Sequence, residues 1–192
     1  MIVWLIGLAL NERPLNIRDA DFMFENRIVR VAADRDSPEI ELAGFKVGPF
    51  EKGKEYELRL WLARELEKAG IVHIRDEVLE PSGLRKIHWT ERIQTVSRIS
   101  SLPKGFYPRL RRLLSDLKES SRRDPEKIRE YELVRRLSQD IVDCRLKKIV
   151  SLASTLGQKD HLLKNLTVEE MDLYEKLNRI ISEWRSEILK VE

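Results

Sequence analysis

Val47–Ala63 reads VGPFEKGKEYELRLWLA, and this stretch sets the architecture of the first part of the chain. Gly48-Pro49-Phe50 is a bend, because proline fixes φ and glycine reaches backbone angles closed to other residues. Gly53 makes a second bend. Tyr56, Leu58 and Leu60 then alternate with Glu55, Glu57 and Arg59, the period of a strand with one apolar face. From Trp61 the period changes. Trp61, Leu62, Ala63, Leu66 and Ala69 predict a short helix, with Gly70 where a C-terminal cap belongs. The run holds no His, Cys or Ser, and its strand acids point outward, so a catalytic use is not indicated.

Around this stretch the pattern stays β-rich. Ile28, Val29 and Val31 make Arg27–Ala33 a strand. Asp34–Pro38 is a turn, and Ile40 and Leu42 alternate with Glu39 and Glu41 until Gly44. Phe45 and Val47 extend the sheet, and Ile71–Ile74 is a last short strand. The domain ends near residue 75 and has few residues for a core. Ahead of it, Met1–Leu10 (MIVWLIGLAL) is apolar throughout, but a membrane-spanning helix needs about 20 such residues, and Asn11, Glu12 and Arg13 end the run. It lacks the basic flank and small-residue site of a secretory signal. A buried strand or helix is one reading of it.

The second half reads as helix. Residues 76–101 are a join: Pro81-Ser82-Gly83 reads as a loop, and Ile93, Val96 and Ile99 carry helical spacing from Thr90 onward. Phe106, Leu110, Leu113, Leu114 and Leu117 form an i, i+3/i+4 stripe. Asp124-Pro125 is an N-cap followed by a first-turn proline, and the helix it opens runs to about Leu156, before Gly157. Its apolar arc over Ile141–Ala153 is too wide for a helix covered on one side, so it is either central to a bundle or buried against another subunit. Thr167 with Glu170 is a capping box, and Leu166 with Met171 a hydrophobic staple. Met171, Tyr174, Leu177, Ile181, Trp184 and Ile188 follow on one stripe. A small N-terminal β-rich domain followed by an all-α bundle, an α+β chain, is the expected fold.

Composition narrows the function. The 192 residues are 36% charged with a net charge of +3, a mild basic bias. Cys144 is the single cysteine, which excludes an intramolecular disulfide and fits a reducing compartment. Scarce Gln beside abundant Lys, Arg and Glu is a bias of proteins from hot environments. Gly53-Lys54 precedes Glu55 and a strand, so it is no phosphate loop. His73, His88 and His161 pair with no Cys and form no His-Glu-x-x-His, so the usual zinc spacing is missing. Asp140 with Asp143, and Glu169 with Glu170 and Asp172, are carboxylate neighbours better read as solvated helix charges. No residue set supports catalysis, and no cofactor or metal is called for.

The motifs occur in an order that resembles one family. Gly-Pro-Phe, x-x-Gly and an alternating strand running into Leu-Trp-Leu-Ala resemble the small β-domain of GINS subunits. Leu102-Pro-Lys-Gly-Phe-Tyr resembles the join between GINS domains. The long helix with Asp140, Asp143, Arg145 and Lys148, then Asn165-Leu-Thr-Val-Glu-Glu-Met, resembles the helical domain. The similarity runs from about Met23, the β-rich domain being 23–75 and the helical one 102–192. Residues 1–22 find no counterpart, and translation from Met23 is a second reading of them that intact mass would test. The resemblance implies an archaeal, non-catalytic replication factor, cytoplasmic and chromosome-associated. It implies pairing with a second GINS subunit of reversed domain order, two copies of each, bridging the MCM helicase and a RecJ-family protein.

Two surfaces are candidate sites. By pattern, Ile141, Leu146, Ile149, Tyr174, Leu177, Ile181 and Trp184 are candidate subunit-interface residues, though each also fits an internal core. The alternative is a stand-alone nucleic-acid-binding protein. Basic residues from Arg85 to Arg123, among them Arg109, Arg111, Arg112, Arg122 and Arg123, outnumber Glu91, Asp116 and Glu119 in that span. Few aromatics interleave them, which argues against a stacking platform.

Overall fold

The computed structural model describes residues 17–75, 79–122, 124–157 and 160–190. Two compact units divide the described chain, one over Asp21–Val78 and one that carries Leu79 onward together with the described residues up to Ala20. The apolar run Met1–Leu10 lies outside the described residues.

Helix α1 (Ile17–Glu25), which the unit boundary at Asp21 divides, leads into strand β1 (Ile28–Ala33), the middle of a three-stranded antiparallel sheet. Strand β4 (Glu55–Arg59) pairs on one side, Val31 opposite Tyr56, and β5 (Val72–Ile74) on the other, Ala32 opposite His73. The expected alternation of β4 is present: Tyr56 and Leu58 turn partly inward, and Glu55, Glu57 and Arg59 are exposed. Strands β2 (Ile40–Leu42) and β3 (Phe45–Val47) form a separate two-stranded hairpin rather than extending the main sheet, since they pair with each other and not with β1, β4 or β5. Helix α2 (Leu60–Lys68) lays Leu60, Leu62, Ala63 and Leu66 onto Val29, Val31 and Phe50. Its end is a Schellman motif. Ile71 N–H donates to Leu66 O and Gly70 N–H to Glu67 O, with Gly70 at φ +66°.

Gly48 closes the base of the hairpin. Its φ is +100°, and an added Cβ would sit 3.2 Å from Pro38 O and 3.3 Å from the Phe50 ring. Next to it, Ser37 and Phe50 exchange two backbone hydrogen bonds. Gly48→Ala is therefore expected to cost the unit about 1–3 kcal/mol, as backbone strain that no nearby atom is free to relieve. Thermal unfolding read by near-ultraviolet circular dichroism checks this, and an unchanged midpoint would refute it.

The second unit is a helical bundle around one long helix. Helices α3 (Pro81–Ile93), α4 (Phe106–Ser121) and α7 (Val168–Ile188) all pack against α5 (Pro125–Ser154), with a single turn, α6 (Asp160–Leu163), between α5 and α7. Leu84, Phe106, Leu110, Val134 and Ile141 form the core. Part of the wide apolar arc of α5 is thus covered by three helical neighbours within its own chain. Asp124 caps α5 as expected, accepting from Glu126 N–H at 2.9 Å with Pro125 in the first turn. Thr167 and Glu170 form the expected capping box of α7.

Two readings of the join are corrected. Pro81-Ser82-Gly83 is not a loop but the first turn of α3, where the missing proline N–H has no helical partner to lose. The helix stops at Ile93, so Val96 and Ile99 do not continue it, and Gln94 is already extended at ψ 140°. The long helix also ends earlier than Leu156, at Ser154, with Leu156 84% exposed.

Candidate assembly surface of the helical bundle

A buried set of charges fixes how α3, α5 and α7 meet. Arg145 on α5 is 1% exposed and makes a two-pronged contact with Glu170 of α7, Nε to Oε1 and Nη2 to Oε2, both 2.7 Å. Its Nη1 donates to Glu91 Oε1 of α3 at 3.2 Å and to Ser100 O at 2.7 Å. Lys148, one turn on, donates to Glu91 Oε2 at 2.7 Å. Tyr107 of α4 donates its phenolic O–H to Glu170 Oε1 at 2.7 Å, and Ser100 Oγ donates to Glu91 Oε1. Two acids and two bases cancel, and every carboxylate oxygen is engaged, the condition under which buried ion pairs persist.

The environment shifts these groups in consistent directions. Burial pushes the Glu91 carboxyl up, but hydrogen bonds from Lys148 and Ser100 and the charges of Arg145 and Lys148 more than reverse it, so it titrates below the usual carboxylate range. Burial pushes the Tyr107 phenol up and Glu170 pushes it further, so it remains a donor at any ordinary pH. For Arg145 burial acts downward, and Glu170 foremost, then Glu91, overcomes it. A carboxylate with a depressed folded-state pKa stabilises fully above its ordinary value of 4.5 and loses that contribution as pH falls through the folded value. The urea midpoint of the bundle should therefore drop below about pH 4.5, and the Glu91→Gln variant should show a flatter acid limb. Equal acid limbs would refute the assignment to Glu91.

Outside this core, two apolar rows face solvent. On α5, Val142, Leu146 and Val150 are 41, 43 and 40% exposed at i, i+4 and i+8. On α7, Ile180, Trp184 and Ile188 repeat that spacing and are 57, 60 and 64% exposed. The second row has a geometric cause. Arg145 meets Glu170, and Asn178 donates to Ala153 O at 3.5 Å, so α5 and α7 run in the same direction about 25 residues apart. Since α5 ends at Ser154, the last turns of α7 extend past it, and Arg185 reaches back to donate to Ser154 O at 2.6 Å.

The candidate interface residues therefore divide. Leu146 and Trp184 are exposed, and Tyr174, Leu177 and Ile181 are half-buried. Ile141 and Ile149 are 0 and 2% exposed within the chain itself and belong to its core, because α3, α4 and α7 already cover that side of α5. Among the basic residues, Arg111 lies 3.9 Å from Glu169 and Arg112 3.9 Å from Asp116. Arg109 is half-buried, Arg122 is exposed, and Arg123 falls outside the described residues. The cluster is partly neutralised locally. Among the described residues no group of three or more His, Cys, Asp or Glu is placed to hold a metal. No described helix is long and apolar enough to cross a membrane.

Residues 78–189, more than half of the chain, match the GINS complex protein helical bundle domain. The chain belongs to the GINS family. Residues 16–75 match the PSF2 N-terminal domain, so the similarity begins inside the segment 1–22 for which the sequence suggested no counterpart. The human DNA replication complex GINS protein PSF2 is 27% identical over 162 residues, 82% of this chain and 83% of that protein. In this GINS subunit the signal that sequence reading passed over is Glu170. Its spacing from Thr167 marks it as a capping residue, and the sequence favours a solvated acid, whereas it is 2% exposed and holds Arg145. A hint was present, since Arg145 and Lys148 fall on the same helical face as Ile141, Ile149 and Leu152, where a charge needs a buried partner.

Proposed function

We propose that this chain is a non-catalytic scaffold subunit of a DNA-replication GINS complex. It pairs with a second GINS subunit whose domains come in reversed order, two copies of each. The assembly acts on the chromosome, bridging the MCM helicase and a RecJ-family protein to support unwinding. The observation that carries this reading is the pair of exposed apolar rows, Val142-Leu146-Val150 and Ile180-Trp184-Ile188, in one small bundle. An obligate interface resembles a core cut in half, and rows of this kind are what each half presents. The name of the human relative, a DNA replication complex protein, supports the process.

Light scattering after size exclusion tests it, on the chain alone and mixed with a GINS subunit of reversed order. One larger species holding both chains in equal amounts is expected. A monomer that ignores the second subunit would refute the pairing, and salt-sensitive DNA binding by that monomer would support the stand-alone reading instead.

A further inference from the structure

Helix α3 presents a face that neither the buried charges nor the two apolar rows use. Trp89 and Ile93, one turn apart, are 68 and 63% exposed, and Val96 just past the helix end is 50% exposed. Every exposed charged side chain within and just after the helix is basic: Arg85, Lys86, Arg92 and Arg98. The one acid inside α3, Glu91, points into the bundle and is consumed by Arg145 and Lys148. From α5, Asp140 faces α3, but its carboxylate is engaged by His88 at 3.1 Å and Arg92 at 3.6 Å. The face is therefore cationic along an apolar ridge. It also lies about 120° around α5 from Leu146, since Asp140 and Leu146 are six residues apart on a 3.6-residue turn.

The ridge leads to a socket. Val96, Ile99, Leu152, Leu156 and Leu162 line a cavity of about 210 Å³, with Ser97, Ser151 and Thr155 at its polar parts. That is room for one large aliphatic or aromatic side chain.

We propose that this face docks an acidic amphipathic segment of a partner protein, its apolar edge on Trp89, Ile93 and Val96 and its carboxylates on Arg85 and Arg98. Charge complementarity selects an acidic occupant. The ridge selects a peptide over nucleic acid, because Ile93 and Val96 offer bases no stacking surface and only Trp89 does. The socket selects a segment that ends its apolar edge in Leu or Phe. Binding of this kind is helix-in-groove recognition with anchors at i, i+3/i+4 and i+7.

The test uses the full chain and a fluorescent designed peptide with Leu and Phe at those spacings and Glu or Asp elsewhere. A scrambled peptide of equal composition and a labelled oligothymidine serve as rivals. The expected result is saturable binding of the patterned peptide, weakened tenfold or more by Trp89→Ala and by Arg85→Glu/Arg98→Glu, with the scrambled peptide weaker by a similar factor. Trp89 is exposed, so its replacement leaves the fold intact, and circular dichroism verifies this. Equal binding of the scrambled peptide, or no effect of Trp89→Ala, overturns the proposal. Preferential binding of oligothymidine through Trp89 overturns it in favour of a nucleic-acid face. Loss of co-assembly with the second GINS subunit in the Trp89→Ala variant also overturns it, since the ridge would then belong to the subunit interface.

Discussion

Arg145→Met is expected to destabilise the helical bundle by about 3–5 kcal/mol, the cost of stranding a buried charge. The reason is the asymmetry of what remains. Glu170, 2% exposed, loses the Arg145 guanidinium that meets both of its oxygens and keeps the Tyr107 hydroxyl and the Thr167 N–H. Glu91 keeps Lys148 and Ser100 but loses one arm of its support. Burying a charge without a counter-charge is costly in a way that losing one hydrogen bond is not. The double variant Arg145→Met/Glu170→Gln removes both partners and should recover part of the loss. A double-mutant cycle in urea, followed by far-ultraviolet circular dichroism, measures the coupling directly. A single-variant loss under about 1 kcal/mol would mean the charges are solvated in solution, since exposed ion pairs contribute no more than that.

The second large effect concerns assembly. Leu146→Asp and Trp184→Asp should each weaken association with the second GINS subunit by about 30-fold or more, about 2–4 kcal/mol, the range of interface hot spots. Both side chains face solvent in the chain, 43 and 60% exposed, so the variants should fold normally when alone. Light scattering on each mixture reads the outcome. Normal co-assembly of both variants would remove the two apolar rows from the interface. Ile149→Asp is a poor probe by contrast. At 2% exposure that side chain is core, and its loss of assembly would only report an unfolded bundle.

Much of the architecture is written in local signals. Asp124-Pro125 opens α5 because an Asx oxygen and a missing N–H both suit a helix start. Thr167 and Glu170 open α7 by satisfying each other's backbone. The period-2 run Glu55–Arg59 and the period-3.6 run after Leu60 are read directly, and Gly70 ends the second. Each of these depends on atoms within a few residues, so the chain alone suffices to specify them. The family resemblance drew on the same local motifs in their order.

Other features were decided by packing at a distance. Periodicity says that Ile141, Leu146 and Ile149 lie on a broad apolar arc, but not which part of it α3, α4 and α7 cover. That depends on pairings such as Glu91 with Arg145, 54 residues apart, and Arg145 with Glu170, 25 apart. The same pairings make Glu170, while it caps α7, also half of a buried ion pair. The exposure of Ile180, Trp184 and Ile188 follows from α7 outlasting α5, a mismatch that exists only once Arg145 and Glu170 set the offset between them. A sequence carries the chemistry of each side chain, while the neighbours that desolvate it are chosen by the fold as a whole.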